Sequence, residues 1–468
     1  MQAVFFVFSA FVIIYTALIS LTYLAYTVMA YGAIRVHQRK RSRERIEQIF
    51  TSRLVPPITI ILPAYNEEAT IVDSVHAMLR QLYSQFEIIV VNDGSRDETL
   101  ARLVRAFGLE AVDKTYEESI PTSPVRQVYA SYAYPRLVVL DKENGGCKAD
   151  AINAGINASN YPLFCACDAD SLLEEDALLQ LALPMLDRTG FVPATGGVIR
   201  AANGSRVTRG TIEAIRLARR PIEIFQIVEY LRAFLTGRTA QSALNIMLIV
   251  SGAFGLFNKS VVKEVGGYNP KAIGEDFELI VRISKHLHRL GRKFEVVFVP
   301  QTVCWTMVPH TWSSLSKQRE RWHKGLLQTL QWHAGMIFNP RYGRTGSIGM
   351  GSFLLIEALG PMVELAGYVI LPIAFAVHAI DLPFAALFFV ISVFGGVLLS
   401  LSALLLEEVS FHRYPRWHEI FTLSLYAVAE NFGYRQLTLW WRVRATFSYA
   451  VRPQATWGTM QRKAFASR

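Results

Sequence analysis

The first thirty-four residues contain no charged side chain, a pattern that confines this part of the chain to an apolar surrounding. Coiled into a helix at ~1.5 Å per residue, the run reaches ~51 Å, more than the ~30 Å of a hydrocarbon core. Residues 1–34 therefore read as one membrane-spanning helix with its ends among the headgroups. A cleavable signal peptide would begin with basic residues and carry a short apolar core, whereas here the run is long and its basic cluster follows. Arg35, Arg39, Lys40, Arg41, Arg43 and Arg45 open a basic linker, residues 35–55. The positive-inside bias puts that linker and the domain after it in the cytoplasm, with the amino terminus outside.

Composition agrees with a membrane protein. Hydrophobic residues make up 51% and charged residues 18%, against roughly 25% charged in ordinary soluble domains. The net charge is +10, but residues 35–53 hold +5 and residues 431–468 hold +7, so the rest sums to −2. A near-neutral body excludes a nucleic-acid groove and assigns the cations to the membrane surface. The four cysteines, Cys147, Cys165, Cys167 and Cys304, show no C-x-x-C pair and read as reduced core residues rather than a disulfide framework or a zinc site.

From Pro56 short apolar runs alternate with amphipathic stretches. Ile58–Leu62, Glu87–Asp93, Leu137–Asp141 and Pro162–Asp168 read as strands, and residues 67–83, 97–107, 149–158 and 174–186 as helices. That alternation predicts an α/β, Rossmann-like domain with a mainly parallel sheet over residues 56–340. Residues 109–135, with three prolines, read as a loop insertion. Between Arg344 and Asp381 the only charges are Glu357 and Glu364, and Gly360-Pro361 lies between them. An interfacial helix breaking at Pro361 and leading into a span at 362–380 fits. Residues 382–406 form a second span, and 418–437 is a doubtful segment, read as surface-lying or re-entrant because a crossing would put the basic tail, 441–468, outside. The whole of 345–440 is thus an interfacial and transmembrane region.

Ligands of such sheets bind beyond the carboxyl ends of the strands. The first run ends in Pro63-Ala64-Tyr65-Asn66-Glu67-Glu68, the second in Asn92-Asp93-Gly94-Ser95, the fourth in Asp168-Ala169-Asp170. Asp93 is placed to accept hydrogen bonds from a base or ribose. Asp168 and Asp170 can share a hard divalent cation, Mg²⁺ or Mn²⁺, on a diphosphate, although a lone D-x-D is weak and Ser171 could simply cap a helix. Gly274-Glu275-Asp276 precedes a helical stretch, where an Asp is often only an N-cap. Gln318-Arg319-Glu320-Arg321-Trp322 in isolation reads as a solvated helix face. Together, though, a cation site, a carboxylate base and an Arg with an amide neighbour are what transfer from a nucleoside diphosphate sugar requires.

In this ordered set, which also includes Lys148-Ala149-Asp150, the chain resembles the membrane-bound family 2 glycosyltransferases of the GT-A fold. That group contains cellulose, chitin, hyaluronan and poly-N-acetylglucosamine synthases. The resemblance covers about residues 56–335, and the flanking transmembrane helices also fit. It implies that Asp93 contacts the nucleoside, that Asp168 and Asp170 serve the diphosphate and metal, and that Asp276, beside Glu275, is the general base. It further implies that Gln318 and Arg321 hold the diphosphate, that Trp322 stacks on the acceptor sugar, and that Lys148 and Asp150 lie near the nucleotide. Gly274 stands where many polymerising relatives carry Thr.

The expected function is inverting transfer from a UDP-sugar, UDP-glucose or UDP-N-acetylglucosamine, onto a growing polysaccharide at the cytoplasmic face of the cell membrane. Single transfer onto a membrane lipid or polyprenyl phosphate is the alternative, and a non-catalytic nucleotide sensor a third reading. Polymer-secreting relatives have more spans than are counted here, so export would call for a partner subunit or a homodimer.

Overall fold

A computed structural model describes residues 2–40, 55–187 and 190–452. Most of the basic linker and of the basic tail, including Arg462, Lys463 and Arg468, lies outside the described residues. The chain divides into two compact units.

One unit, drawn from His37–Ala218 and Asn245–Val308, is built on a ten-stranded sheet. Its strands are β1 (Ile58–Ala64), β2 (Phe86–Asp93), β3 (Leu109–Val112), β4 (Val125–Ser131), β5 (Leu137–Lys142), β6 (Leu163–Cys167), β7 (Ser171–Leu173), β8 (Ala194–Ala201), β11 (Phe254–Asn258) and β12 (Val297–Thr306); β9 (Arg206–Thr208) and β10 (Thr211–Ala214) form a separate hairpin. The order is β3-β4-β5-β2-β1-β6-β11-β8-β12-β7. The central strands β5, β2, β1 and β6 are all parallel, and β8 pairs in parallel with β12. Antiparallel pairs join β3, β4, β11 and β7 around them. Every residue of β2 and β6 is buried, which is why β6 is apolar throughout and β2 carries the run Ile88–Val91 rather than an alternating pattern.

The winding reverses at β1. The connections from β1 to β2 and from β2 to β3 run one way, whereas the connection from β5 to β6 runs back across β2 and β1. Right-handed crossovers therefore put helices Ile71–Leu79 and Thr99–Phe107 on one face and Lys148–Ala158 on the other. Residues 149–158 of the last helix are all buried, because small side chains let it lie flat on β1 and β2; a Cβ at Gly155 would come within 2.4 Å of Ile61.

The stretch 109–135 is not a loop insertion. It supplies β3 and β4, two strands that widen the sheet beyond β5. Its prolines, Pro121, Pro124 and Pro135, sit in the connections, where no ladder amide is needed.

The other unit gathers the described parts of Met1–Val36, Arg219–Leu244 and Pro309–Ala455. Three of its helices are long and apolar enough to cross a membrane: Ala3–Gln38, Thr345–Ala376 and Leu382–Phe411. Val12 and Ile13 of the first pack with Leu371 and Ala374 of the second and Phe388 of the third. The expected break at Pro361 does not occur, and the helix runs on from Thr345 to Ala376. The ring occupies the first turn of Gly360–Ala376, after a wide π-helical turn, Phe353–Leu359, that leaves it room. Glu357 and Glu364 on this helix pair with Arg442 (3.0 Å) and Arg435 (2.8 Å) of helix Tyr434–Val451. Helix Trp417–Ala429 is separate from it and exposes Trp417, Phe421 and Leu425 along one stripe while burying Leu423 and Ala427.

Candidate active site

The reversal of winding opens the ends of β1 and β6 to a ligand, and the carboxylates of the sheet unit collect there. The loops after β1 and β2 are zipped together first. Asn66 N–H donates to Ser95 Oγ (3.0 Å), Arg96 N–H to Asn66 Oδ1 (2.9 Å), Glu67 N–H to Thr99 Oγ1 (2.9 Å) and Glu68 N–H to Asp97 Oδ2 (3.2 Å). Asn66 takes a left-handed conformation, φ 56°, to make this junction, one that Asn tolerates better than most residues.

Asp93, the last residue of β2, is buried and accepts from Lys142 Nζ at 2.7 Å and from Gly145 N–H at 3.0 Å. Lys142 ends β5, is fully buried, and also donates to Asp150 Oδ2. Asp150 is completed by Ser123 N–H at 3.0 Å on Oδ1. Nothing but a glycine fits at 145, since a Cβ would overlap the Asp150 carboxylate. Lys142 was not foreseen from sequence; the available signal was the charged pair Asp141-Lys142 closing an apolar strand shortly before Gly145-Gly146.

A second cluster forms beside β6. Lys148, the first residue of its helix, reaches Asp168 Oδ1 at 2.5 Å and donates to the Gly252 carbonyl at 2.6 Å. Burial would depress the Lys148 ammonium, but Asp168, Glu275 and Asp276 outweigh it and hold its pKa above the ordinary value. Gly252 N–H donates to Asp276 Oδ2 at 2.9 Å, while Asp276 Oδ1 accepts from Phe277 N–H at 2.8 Å. Glu275 and Asp170 are buried, and Asp170 lies in the turn closed by Ser171 N–H on the Asp168 carbonyl (3.0 Å). The structure thus brings Lys148, Asp168 and Asp276 together through a residue, Gly252, that carries no side chain. Its signal in sequence was only a Ser-Gly pair after an apolar run.

Asp93 and Asp150 share the Lys142 ammonium, and Asp168 pairs with the Lys148 ammonium, whose charge Glu275 and Asp276 also stabilise. Among the described residues no group of three or more His, Cys, Asp or Glu side chains could by itself hold a metal. The hard oxygen donors of Asp168 and Asp170 are of the type that Mg²⁺ or Mn²⁺ accepts, with Asp170 Oδ1 buried and making no hydrogen bond.

Gln318, Arg321 and Trp322 belong to the helical unit, on helix Trp312–Trp332. Spacings of three and four put them on one face. Gln318 Oε1 is buried with no hydrogen-bond partner, and the half-exposed Trp322 ring lies 4.4 Å from the Arg319 guanidinium. Arg319 is anchored by Glu229 at 2.8 Å, which also accepts from Tyr434 at 2.9 Å.

Residues 56–325 match the family described as Glycosyltransferase like family 2. The chain is 29% identical over 271 residues to a poly-beta-1,6-N-acetyl-D-glucosamine synthase of Staphylococcus epidermidis, covering 58% of this chain and 55% of that protein. A protein of the same name in Staphylococcus aureus (strain COL) gives 29% over 271 residues, 57% and 54%. The chain thus spans about half the length of the curated relatives it matches. Among solved structures, a mannosyltransferase from Pyrobaculum calidifontis in complex with GDP-Man and Mn²⁺ superposes with a TM-score of 0.49 at 18% identity, over 89% of this chain and 99% of that one. With the family matched across most of the sheet unit and beyond, and a parallel sheet centre bearing acidic strand ends, the chain belongs to glycosyltransferase family 2, enzymes of the GT-A fold.

Proposed function

We propose that the chain moves a sugar from a UDP-sugar, with inversion, onto a growing polysaccharide at the cytoplasmic face of the cell membrane. The observation that carries this reading is the cluster in which Lys148 pairs with Asp168 while Asp276 is held one peptide away. In this reading Asp168, after β6, is the diphosphate-side carboxylate and Asp276, in the first turn of helix Glu275–Arg289, the base-side one. UDP-N-acetylglucosamine is the first donor to test, because the relatives above are named for a poly-N-acetylglucosamine product; UDP-glucose is the second.

In this reading Asp93 receives the nucleoside, and Lys148 and Asp150 lie near it. Asp276, with Glu275 beside it, takes the proton from the acceptor hydroxyl as that oxygen attacks the anomeric carbon opposite the departing diphosphate. Gln318 and Arg321 serve the diphosphate and Trp322 the acceptor ring. Asp168 and Asp170 would hold Mg²⁺ or Mn²⁺, which supplies charge neutralisation for the leaving UDP.

The domain reading follows the same lines. The apolar helices Ala3–Gln38, Thr345–Ala376 and Leu382–Phe411 cross the bilayer in this reading, residues 56–340 work in the cytoplasm, and both basic stretches stay inside. With so few spans, a partner subunit or a second copy would complete an export path.

Purified protein supplied with each UDP-sugar and Mg²⁺ or Mn²⁺ should release UDP and lengthen a glycan, read by mass spectrometry. UDP release with a single sugar on a lipid would replace the polymerase reading by the lipid-acceptor one. Nucleotide binding without any turnover would remove both.

A further inference from the structure

We propose that the Gly252 peptide is a positioning element of the transfer reaction, holding the base Asp276 through its N–H and the diphosphate-side pair Lys148–Asp168 through its C=O. The inference rests on the proposed function above.

Two bonds leave one peptide group in opposite directions. The N–H of Gly252 donates to Asp276 Oδ2 at 2.9 Å, and its carbonyl accepts from Lys148 Nζ at 2.6 Å. Lys148 in turn sits 2.5 Å from Asp168 Oδ1. The next residue continues the tie, since Ala253 O accepts from Asp168 N–H at 3.2 Å. The donor-side and base-side carboxylates come from distant parts of the chain, and the segment Gly252-Ala253 is bonded to the Asp276 carboxylate and to the backbone N–H of Asp168.

The turn is itself fixed. Phe254 N–H closes on the Ser251 carbonyl at 3.0 Å, which puts Gly252 at the second position of a β-turn leading into β11. Its φ lies outside the left-handed region, so glycine is not required there for backbone reasons. A Cβ there would stand 3.3 Å from Lys148 Nζ and 3.4 Å from Asp276 Oδ2, a contact relieved by a shift of a few tenths of an ångström. A base carboxylate with one oxygen pinned by a fixed amide keeps a single orientation, and orientation within a fraction of an ångström governs attack geometry.

Proline suits the second position of such a turn and lacks the amide hydrogen; its ring carbon takes the place of that hydrogen, so Gly252→Pro both removes the bond and displaces the Asp276 carboxylate, while Gly252→Ala adds the same Cβ and keeps the donor. Gly252→Pro should lower kcat by about 10- to 100-fold relative to Gly252→Ala, the order expected for a misplaced acid–base group. The KM for the UDP-sugar and metal-dependent UDP affinity should stay within about threefold, because the carbonyl bond to Lys148 survives. Gly252→Ala should retain at least about a third of wild-type kcat.

Equal kcat in the alanine and proline variants, with both folded by thermal melting and both binding UDP, overturns the proposal. So does a proline variant whose loss falls on UDP affinity rather than kcat. If wild-type protein transfers from no UDP-sugar, it is the functional reading that fails, and UDP binding by the two variants then reports separately on the Lys148 side of the tie.

Discussion

Lys142 and Asp93 are register partners at the ends of neighbouring parallel strands, and the Lys142 ammonium, fully buried, lies 2.7 Å from Asp93 Oδ1. Asp150 takes the other side of the same ammonium. The proposed nucleoside contact is therefore held from beneath by a cation that never meets solvent.

Lys142→Met leaves two buried carboxylates facing each other with no counter-charge. Breaking a buried pair by removing one partner typically costs ~3–5 kcal/mol. Differential scanning fluorimetry in detergent should show a clearly lowered melting temperature, and UDP affinity should fall with it. A melting temperature within a degree of wild type would show that Asp93 and Asp150 do not depend on this lysine.

Asp276→Asn preserves the shape of the side chain while abolishing its basicity. Turnover should drop by ~10² to 10⁴, with UDP affinity held within a few-fold. Full activity in a UDP-release assay would remove Asp276 from the role of base.

With two candidate carboxylates for a cation, Asp168 and Asp170, and no group of three or more metal-binding side chains among the described residues, metal and nucleotide should bind together. Mn²⁺ titrated alone, followed by electron paramagnetic resonance, should bind at least about tenfold more weakly than in the presence of UDP, whose phosphates complete the coordination. Asp170→Ala should weaken UDP binding with metal present and leave metal-free UDP binding unchanged. Tight Mn²⁺ binding without nucleotide would place the ion elsewhere.

His323 supplies a pH dependence in the helical unit. It is buried against Thr446 (2.9 Å) and Arg442 (3.4 Å), and burial, reinforced by the Arg442 charge, pushes its pKa down to about 3. The unfolded chain protonates it near ~6.5, so its neutral burial contributes stability that is whole above that value. The contribution is lost as pH falls from there toward 3. Melting temperatures measured between pH 7 and 4 should decline less steeply for His323→Gln than for wild type; identical slopes would show that His323 is not the group responsible.

The strands at the sheet centre were legible because burial on both faces leaves a run such as Ile88–Val91 wholly apolar. Strand β3 was not, since an edge strand of four residues with Glu110 and Ala111 exposed has neither the length nor the pattern to stand out. At the site, the acidic strand ends were visible as motifs. Lys142 was hidden because its burial depends on Asp93, 49 residues away, as well as Asp150. Gly252 was hidden for a deeper reason, in that its contribution is made by backbone atoms that every residue possesses. The helix through Pro361 misled because the wide turn before it has no signature in residue types.

The order of strands in space differs from their order of synthesis in a way that governs how the enzyme is born on the ribosome. Strands β1 to β6 complete a continuous half-sheet early, but β8 reaches β6 only through β11, whose last residue is Asn258, and β7 is joined only by β12, which ends at Thr306. Until then the edge of β6, next to Asp168, stays open to whatever the translation machinery and chaperones put beside it. A nascent chain arrested before residue 254 would already hold Asp93, Lys142 and Lys148 yet lack Asp276, the proposed base, and strand β11. The proposed site is thus incomplete until the sheet closes, and a ribosome-stalled fragment of that length exposes an open strand edge at β6 that can pair with foreign strands.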